Sequence, residues 1–123
     1  MGLDSYASRS PGDVELTIGD EQAFLAAGIE LCGGMQSGDG GSSFRGKVYL
    51  DVVDRVADAT LMAEWIPPDE VREIAAAFER CDAPQVAEES KGDHYPATES
   101  EVVNLRRFFS VCAERGLGLI GWW

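Results

Sequence analysis

The sequence predicts an α+β fold: a single helix-rich domain over residues 1–123, with about three main helices plus a short one packed on a small sheet formed by the terminal segments. Three observations carry that prediction. The stretch Thr98 to Trp123 reads as one long helix running into a short apolar strand. Val71, Ile74, Ala75 and Phe78 recur at helical spacing after Pro67-Pro68. At the other end of the chain Leu3, Ser5 and Ala7 alternate with Asp4 and Tyr6, the period of a strand.

The C-terminal stretch is the most explicit. Thr98 is a good N-cap, and Glu101 three residues later completes a capping box. Val102, Leu105, Phe109 and Cys112 form the apolar stripe, widened by Val103, Phe108 and Val111. Arg115 suits the negative end of the helix dipole, and Gly116 can adopt the left-handed conformation that ends a helix. Leu117, Leu119, Ile120, Trp122 and Trp123 follow, and their natural partner is the N-terminal strand, because a lone strand leaves its backbone groups unpaired.

Between the termini the signals vary in strength. Ser10-Pro11-Gly12-Asp13 is a turn, and Val14, Leu16 and Ile18 suit a short strand or extended entry. Asp20 is expected to cap a short helix carrying Ala23, Phe24 and Ala27, which Gly28 ends. Residues 33–43 form a Gly-rich loop. A helix is expected from Ser43 to about Ala57, with Phe44, Val48, Val52, Val53 and Val56 as its buried stripe. Leu61 to Ile66 reads as a link, and Pro67-Pro68, Asp69 and Glu70 open the next helix. Residues 82–97 are polar, acidic and aperiodic, and read as an exposed loop.

Composition bounds the function. The formal charge is −12, from 22 acidic against 10 basic residues, which argues against a nucleic-acid phosphate backbone or an anionic membrane surface as partner. It permits a basic protein surface, or life at high salt. The cysteines Cys32, Cys81 and Cys112 are odd in number and form no C-x-x-C pair, and His94 is the one histidine, so no metal site and no cofactor are expected. Met1 to Ser10 carries neither the basic nor the apolar region of a secretory leader, and a cytoplasmic protein, monomeric or weakly dimeric, is expected.

Gly41, Gly46 and Lys47 match G-x-x-x-x-G-K, but Val48 stands where a phosphate loop needs Ser or Thr for magnesium. A softer candidate remains. Ser42, Ser43, Arg45 and Lys47 at a helix N-terminus would present free N–H groups and two cations to an anion. The bland alternative pairs Lys47 with Asp51 along the helix. Asp51, Asp54 and Asp58, and likewise Asp69, Glu70 and Glu73, read as solvated faces. Cys81 and Cys112 read as structural, and no residue set qualifies as catalytic. Trp122 and Trp123 are neighbours, so a strand sends their rings to opposite faces; the favoured expectation is that both are covered, the other that one stays open to a partner.

The opening Met1-Gly2-Leu3-Asp4 with Tyr6, the segment Ser43 to Tyr49, the Trp65-Ile66-Pro67-Pro68 entry and the ending Gly116 to Trp123 resemble a group of small bacterial proteins that begin Met-Gly-Leu-Asp. The resemblance covers nearly the whole chain and brings no established activity with it. The function readings therefore rest on the residues. First comes a non-enzymatic interaction protein whose acidic faces meet a basic surface. Second comes a binder or enzyme for a small anionic ligand at Ser42 to Lys47. Third comes an assembly role through the aromatic tail.

Overall fold

The structure is a computed structural model and describes residues 3–32 and 41–123. In chain order it contains β1 (Asp4–Ser8), α1 (Ile18–Ala27), β2 (Ser43–Phe44), α2 (Leu50–Ala57), β3 (Trp65–Ile66), α3 (Pro68–Arg80), α4 (Ala83–Glu89), α5 (Glu99–Arg115) and β4 (Gly118–Trp122). Single 3-10 turns lie at Gly46–Tyr49 and Ser90–Gly92. The strands form one antiparallel sheet in the order β2-β1-β4-β3. The α+β class holds, with five α-helices among the described residues.

The terminal segments do make the centre of the sheet. β1 and β4 pair along their full length, from Asp4 opposite Trp122 to Ser8 opposite Gly118. Helix α5 begins at the Thr98–Glu101 capping box, with Glu101 N donating to Thr98 Oγ1 at 3.1 Å and Thr98 N donating to Glu101 Oε1 at 3.0 Å. It ends at Gly116 with φ 69°, a left-handed residue that glycine adopts without steric cost. The chain then enters β4 directly.

Several expectations need correction. Ser43 to Ala57 is not one helix: Ser43 and Phe44 are extended and pair with β1, a 3-10 turn follows, and α2 starts only at Leu50. Pairing to Tyr6 and Ser5 supplies backbone partners that local propensity did not foresee. Residues 82–97 are not simply an exposed loop. Asp82 accepts from Gln85 N and caps α4, whose Ala83 and Val86 are buried. Two apolar residues suffice there because α4 is short and lies along α5. Trp65 and Ile66 form β3 rather than a link, pairing with Ile120 and Leu119. The cap of α1 is Thr17, with Asp20 as the reciprocal third residue of a capping box. The Val14 to Ile18 stretch pairs with no strand, and Ile18 opens α1 with its side chain exposed. Of the Gly-rich loop at 33–43, residues 33–40 lie outside the described residues.

One core joins the helices to one side of the sheet. Leu3, Ala7, Phe44, Ile66, Leu117 and Leu119 meet Phe24 of α1, Val52 and Val53 of α2, Val71 and Phe78 of α3, Val86 of α4 and Phe108 and Phe109 of α5. All five phenylalanines of the chain are fully buried. Phe108 lies 5.4 Å from Phe24 and 4.8 Å edge-on from Phe44, and Phe109 stacks 5.4 Å from Phe78. Such offset and edge contacts add to the burial of area. Arg106 of α5 donates to the Phe78 and Cys81 carbonyls, each at 2.9 Å, and so satisfies open carbonyls at the end of α3.

A buried carboxylate fastens three elements at the edge of this core. Asp20 is fully buried and accepts from Arg9 Nε and Nη2, both at 2.7 Å, and from Arg115 Nε at 2.6 Å. Thr17 N donates to it as well. Burial alone would raise this carboxyl, but the hydrogen bonds from Arg9 and Arg115, joined by Thr17, hold it well below the usual carboxylate range. The cluster joins the end of β1, the start of α1 and the last turn of α5.

Candidate functional site

The residues predicted to bind an anion do not sit on a helix N-terminus. Ser42 gives its carbonyl to Ala7 N at 2.9 Å, and Ser43 is buried in β2. The Arg45 N–H donates to the Cys32 carbonyl at 2.7 Å and the Lys47 N–H to the Leu3 carbonyl at 3.1 Å. The N–H groups an anion would need at those two positions are therefore already engaged. The 3-10 turn that follows has no side-chain cap. Gly46 is pressed against Leu3, where an added Cβ would meet Leu3 Cδ2 at 3.2 Å, so the chain is threaded here against the sheet. Arg45 and Lys47 are exposed, and among the described residues neither enters an ion pair, so the Lys47–Asp51 alternative is not formed either.

The acidic face of α2 is tied up locally. Asp51 accepts from Tyr95 N at 3.1 Å, and Arg55 binds Asp93 through Nη2 at 2.7 Å and Nε at 3.2 Å rather than pairing with Asp51. Asp58 is the left-handed residue that ends α2. Among the described residues no group of three or more His, Cys, Asp or Glu could hold a metal. Cys112 is buried, and burial pushes its thiol up, away from reactivity; Cys81 is half-buried and Cys32 exposed. Tyr49 is a buried post: its hydroxyl accepts from Cys32 N at 2.8 Å, and burial, with the hydrogen bond to Glu101, pushes its phenol up.

The open chemistry lies on the other face of the sheet. Successive residues of a strand point to opposite sides. The register places Tyr6 beside Ile120 and Ile120 beside Trp65, with Trp122 two residues further along β4. None of Tyr6, Trp65, Ile120 and Trp122 belongs to the core shared with the helices. Ile120 is nonetheless buried, while Trp65 is half-buried and Trp122 exposed. Burial, with the charge of Asp4, raises the phenol of Tyr6. The expectation that both terminal tryptophans are covered is therefore overturned: Trp122 is 62% exposed and Trp123 49%.

These rings close a cleft of about 370 Å³, lined by Pro11, Gly12, Glu64, Trp65, Ile120, Gly121, Trp122 and Trp123. Two glycines of β4 shape it. The Trp65 ring lies over Gly118, where an added Cβ would meet Trp65 Cζ2 at 2.7 Å and the Ile66 carbonyl at 2.6 Å. At Gly121 an added Cβ would run into the Ala63 carbonyl and press on the Trp123 ring, so a side chain there would collide with backbone. Gly121 N also donates to the Glu64 carbonyl at 3.2 Å, which fixes Glu64 beside the cleft floor. Its carboxylate makes no hydrogen bond or ion pair among the described residues.

Sequence reasoning had singled out Trp122 and Trp123, but not Glu64, Trp65, Pro11 or Gly12 as their neighbours. The usable signal was Trp65-Ile66 ahead of Pro67, an extended dipeptide rich in sheet formers. Comparison of the chain with family models, with curated proteins and with solved structures finds no match. The cleft has to be read from its own chemistry.

Proposed function

We propose that this protein is a binding module that docks on a basic protein partner through the outer face of its sheet. The observation that carries the reading is the pair of exposed tryptophans beside Trp65 and Glu64, on a chain of net charge −12. Large aromatic side chains are disproportionately the anchors of protein interfaces, because they bury much area at small entropic cost. Exposed indoles that border one hollow offer an anchor to a partner. The surrounding negative charge selects a cationic partner and speeds its approach. A cytoplasmic protein with free thiols, monomeric or weakly dimeric before it meets its partner, fits this role.

The test is a titration of the full chain with short labelled peptides of equal length, rich in lysine and arginine, neutral, or rich in glutamate, read by fluorescence anisotropy. Basic peptides are expected to bind, more weakly as salt rises, and the Trp122→Ala/Trp123→Ala double variant is expected to lose them. Equal binding of all three charge classes, or an unchanged double variant, would overturn the reading.

A further inference from the structure

We infer that the cleft between Glu64, Trp65, Trp122 and Trp123 is a guanidinium site, which takes an arginine side chain of the basic partner. The inference rests on the proposed docking role and names the group that role recognises. Its size is the first argument. A cleft of about 370 Å³ lies at the small end of ligand sites, roughly 300–1,000 Å³, and suits one long side chain rather than a folded segment.

The lining is the second argument. Three of the eight lining residues are tryptophans, and the indole face is the strongest aromatic attractor of a cation. A purely apolar occupant would cover Glu64 and strip its carboxylate of water without giving it a partner. An anion would meet that carboxylate and the field of the whole acidic chain. A cation satisfies the rings and the carboxylate together.

The choice between the two common cations follows from their shapes. An ammonium is compact and strongly hydrated, and its three donors would find a single side-chain acceptor in this lining, the Glu64 carboxylate. A guanidinium is planar and weakly hydrated. It can lie flat on an indole while its edge N–H groups reach outward to a carboxylate. Glu64 lines the cleft at an exposed position, with its backbone anchored by the Gly121 N–H, and is the one carboxylate in the lining that such an edge could meet. Glycine is required at 121 in the cleft floor, since any side chain there would collide with the Ala63 carbonyl.

The test uses the full chain, its three indole N–H resonances, and basic peptides that are identical except for one residue: arginine, lysine or citrulline, the last a neutral isostere of arginine. The arginine peptide should shift the indole signals of Trp65, Trp122 and Trp123, and bind at least about fivefold tighter than the lysine peptide, with citrulline weaker still. Glu64→Gln, at an exposed position that should leave the fold intact, should remove most of the preference for arginine over lysine. If lysine and arginine peptides bind equally and shift the same indoles, the guanidinium site is refuted while the docking face stands. If Glu64→Gln keeps the full arginine preference, the assignment of the carboxylate is refuted. If no peptide moves any indole signal, both the site and the docking reading fall.

Discussion

On the inner face of the sheet, Leu3, Ala7, Ile66 and Leu119 meet five buried phenylalanines carried mostly by helices. On the outer face, Tyr6, Trp65, Ile120 and Trp122 stand outside that core, and the aromatic residues there are the amphipathic ones, tyrosine and tryptophan. Phenylalanine has no polar atom and loses nothing by complete burial. Tryptophan and tyrosine keep a hydrogen-bonding edge and tolerate a half-wet surface. The same strands thus present a face that completes the fold and a face that remains available to a partner. Substitutions on the inner face should register in stability, and those on the outer face in binding.

The hardest way to break this division is to remove the strand both faces share. A chain truncated after Gly116 loses buried Leu117 and the whole of β4, which pairs with β1 on one side and β3 on the other and carries buried Leu119 and Ile120. Burying each large apolar side chain contributes roughly 1.5–3 kcal/mol, against a typical total of about 5–15 kcal/mol. The truncated chain should be molten or insoluble; a circular dichroism melt close to that of the full chain would contradict the sheet.

Next in size is Phe109→Ala, which empties a site between Phe44, Phe78 and Phe108. A loss of about 3–5 kcal/mol is expected in a urea melt. A change of only a few tenths would mean that the inner face repacks freely.

Asp20→Asn probes the clasp at the margin of the core. It leaves two guanidiniums facing an uncharged amide, and because both arginines are partly exposed the cost should be about 2–3 kcal/mol, below that of a fully buried pair. The sign of the pH dependence follows from the direction of the shift. Asp20 is held below its unfolded value of about 3.9, so its contribution is complete above that value and disappears as pH falls below it. Between about pH 5 and pH 2 the wild type should lose stability more steeply than the variant. Parallel acid limbs in the two proteins would show that Asp20 is not the group responsible.

The smallest effect on stability is expected where the effect on binding is largest. Trp122→Ala should shift the melt by less than about 0.5 kcal/mol, since the ring is mostly exposed, while reducing affinity for basic peptides. A large destabilisation would turn the outer face into a second core and blur the contrast between the faces.

What could be read directly from the chain has a common physical basis. The capping box at Thr98 and Glu101, the stop at Gly116, the start of α3 at Pro68 and the stripes of α3 and α5 all depend on contacts within about one helical turn. The pairing of the two termini was legible because the C-terminal segment is too apolar to leave in water and each short strand needs backbone partners. Other features depended on residues far away in sequence. Ser43 and Phe44 are strand because Ser5 and Tyr6 lie beside them, which removed the helix start on which the Ser42, Ser43, Arg45 and Lys47 site depended. Asp20 is more than a capping residue because Arg9 and Arg115 converge on it from 11 and 95 residues away. Glu64 and Trp65 join Trp122 and Trp123 only because β3 lies beside β4. Sequence alone determined where α3 begins, where α5 begins and ends, and that the C-terminal segment is too apolar to stay unpaired, since those are local free energies. Tertiary structure decided which charge is buried, which rings stay open and where a cleft forms, since each of these depends on what another part of the chain brings alongside.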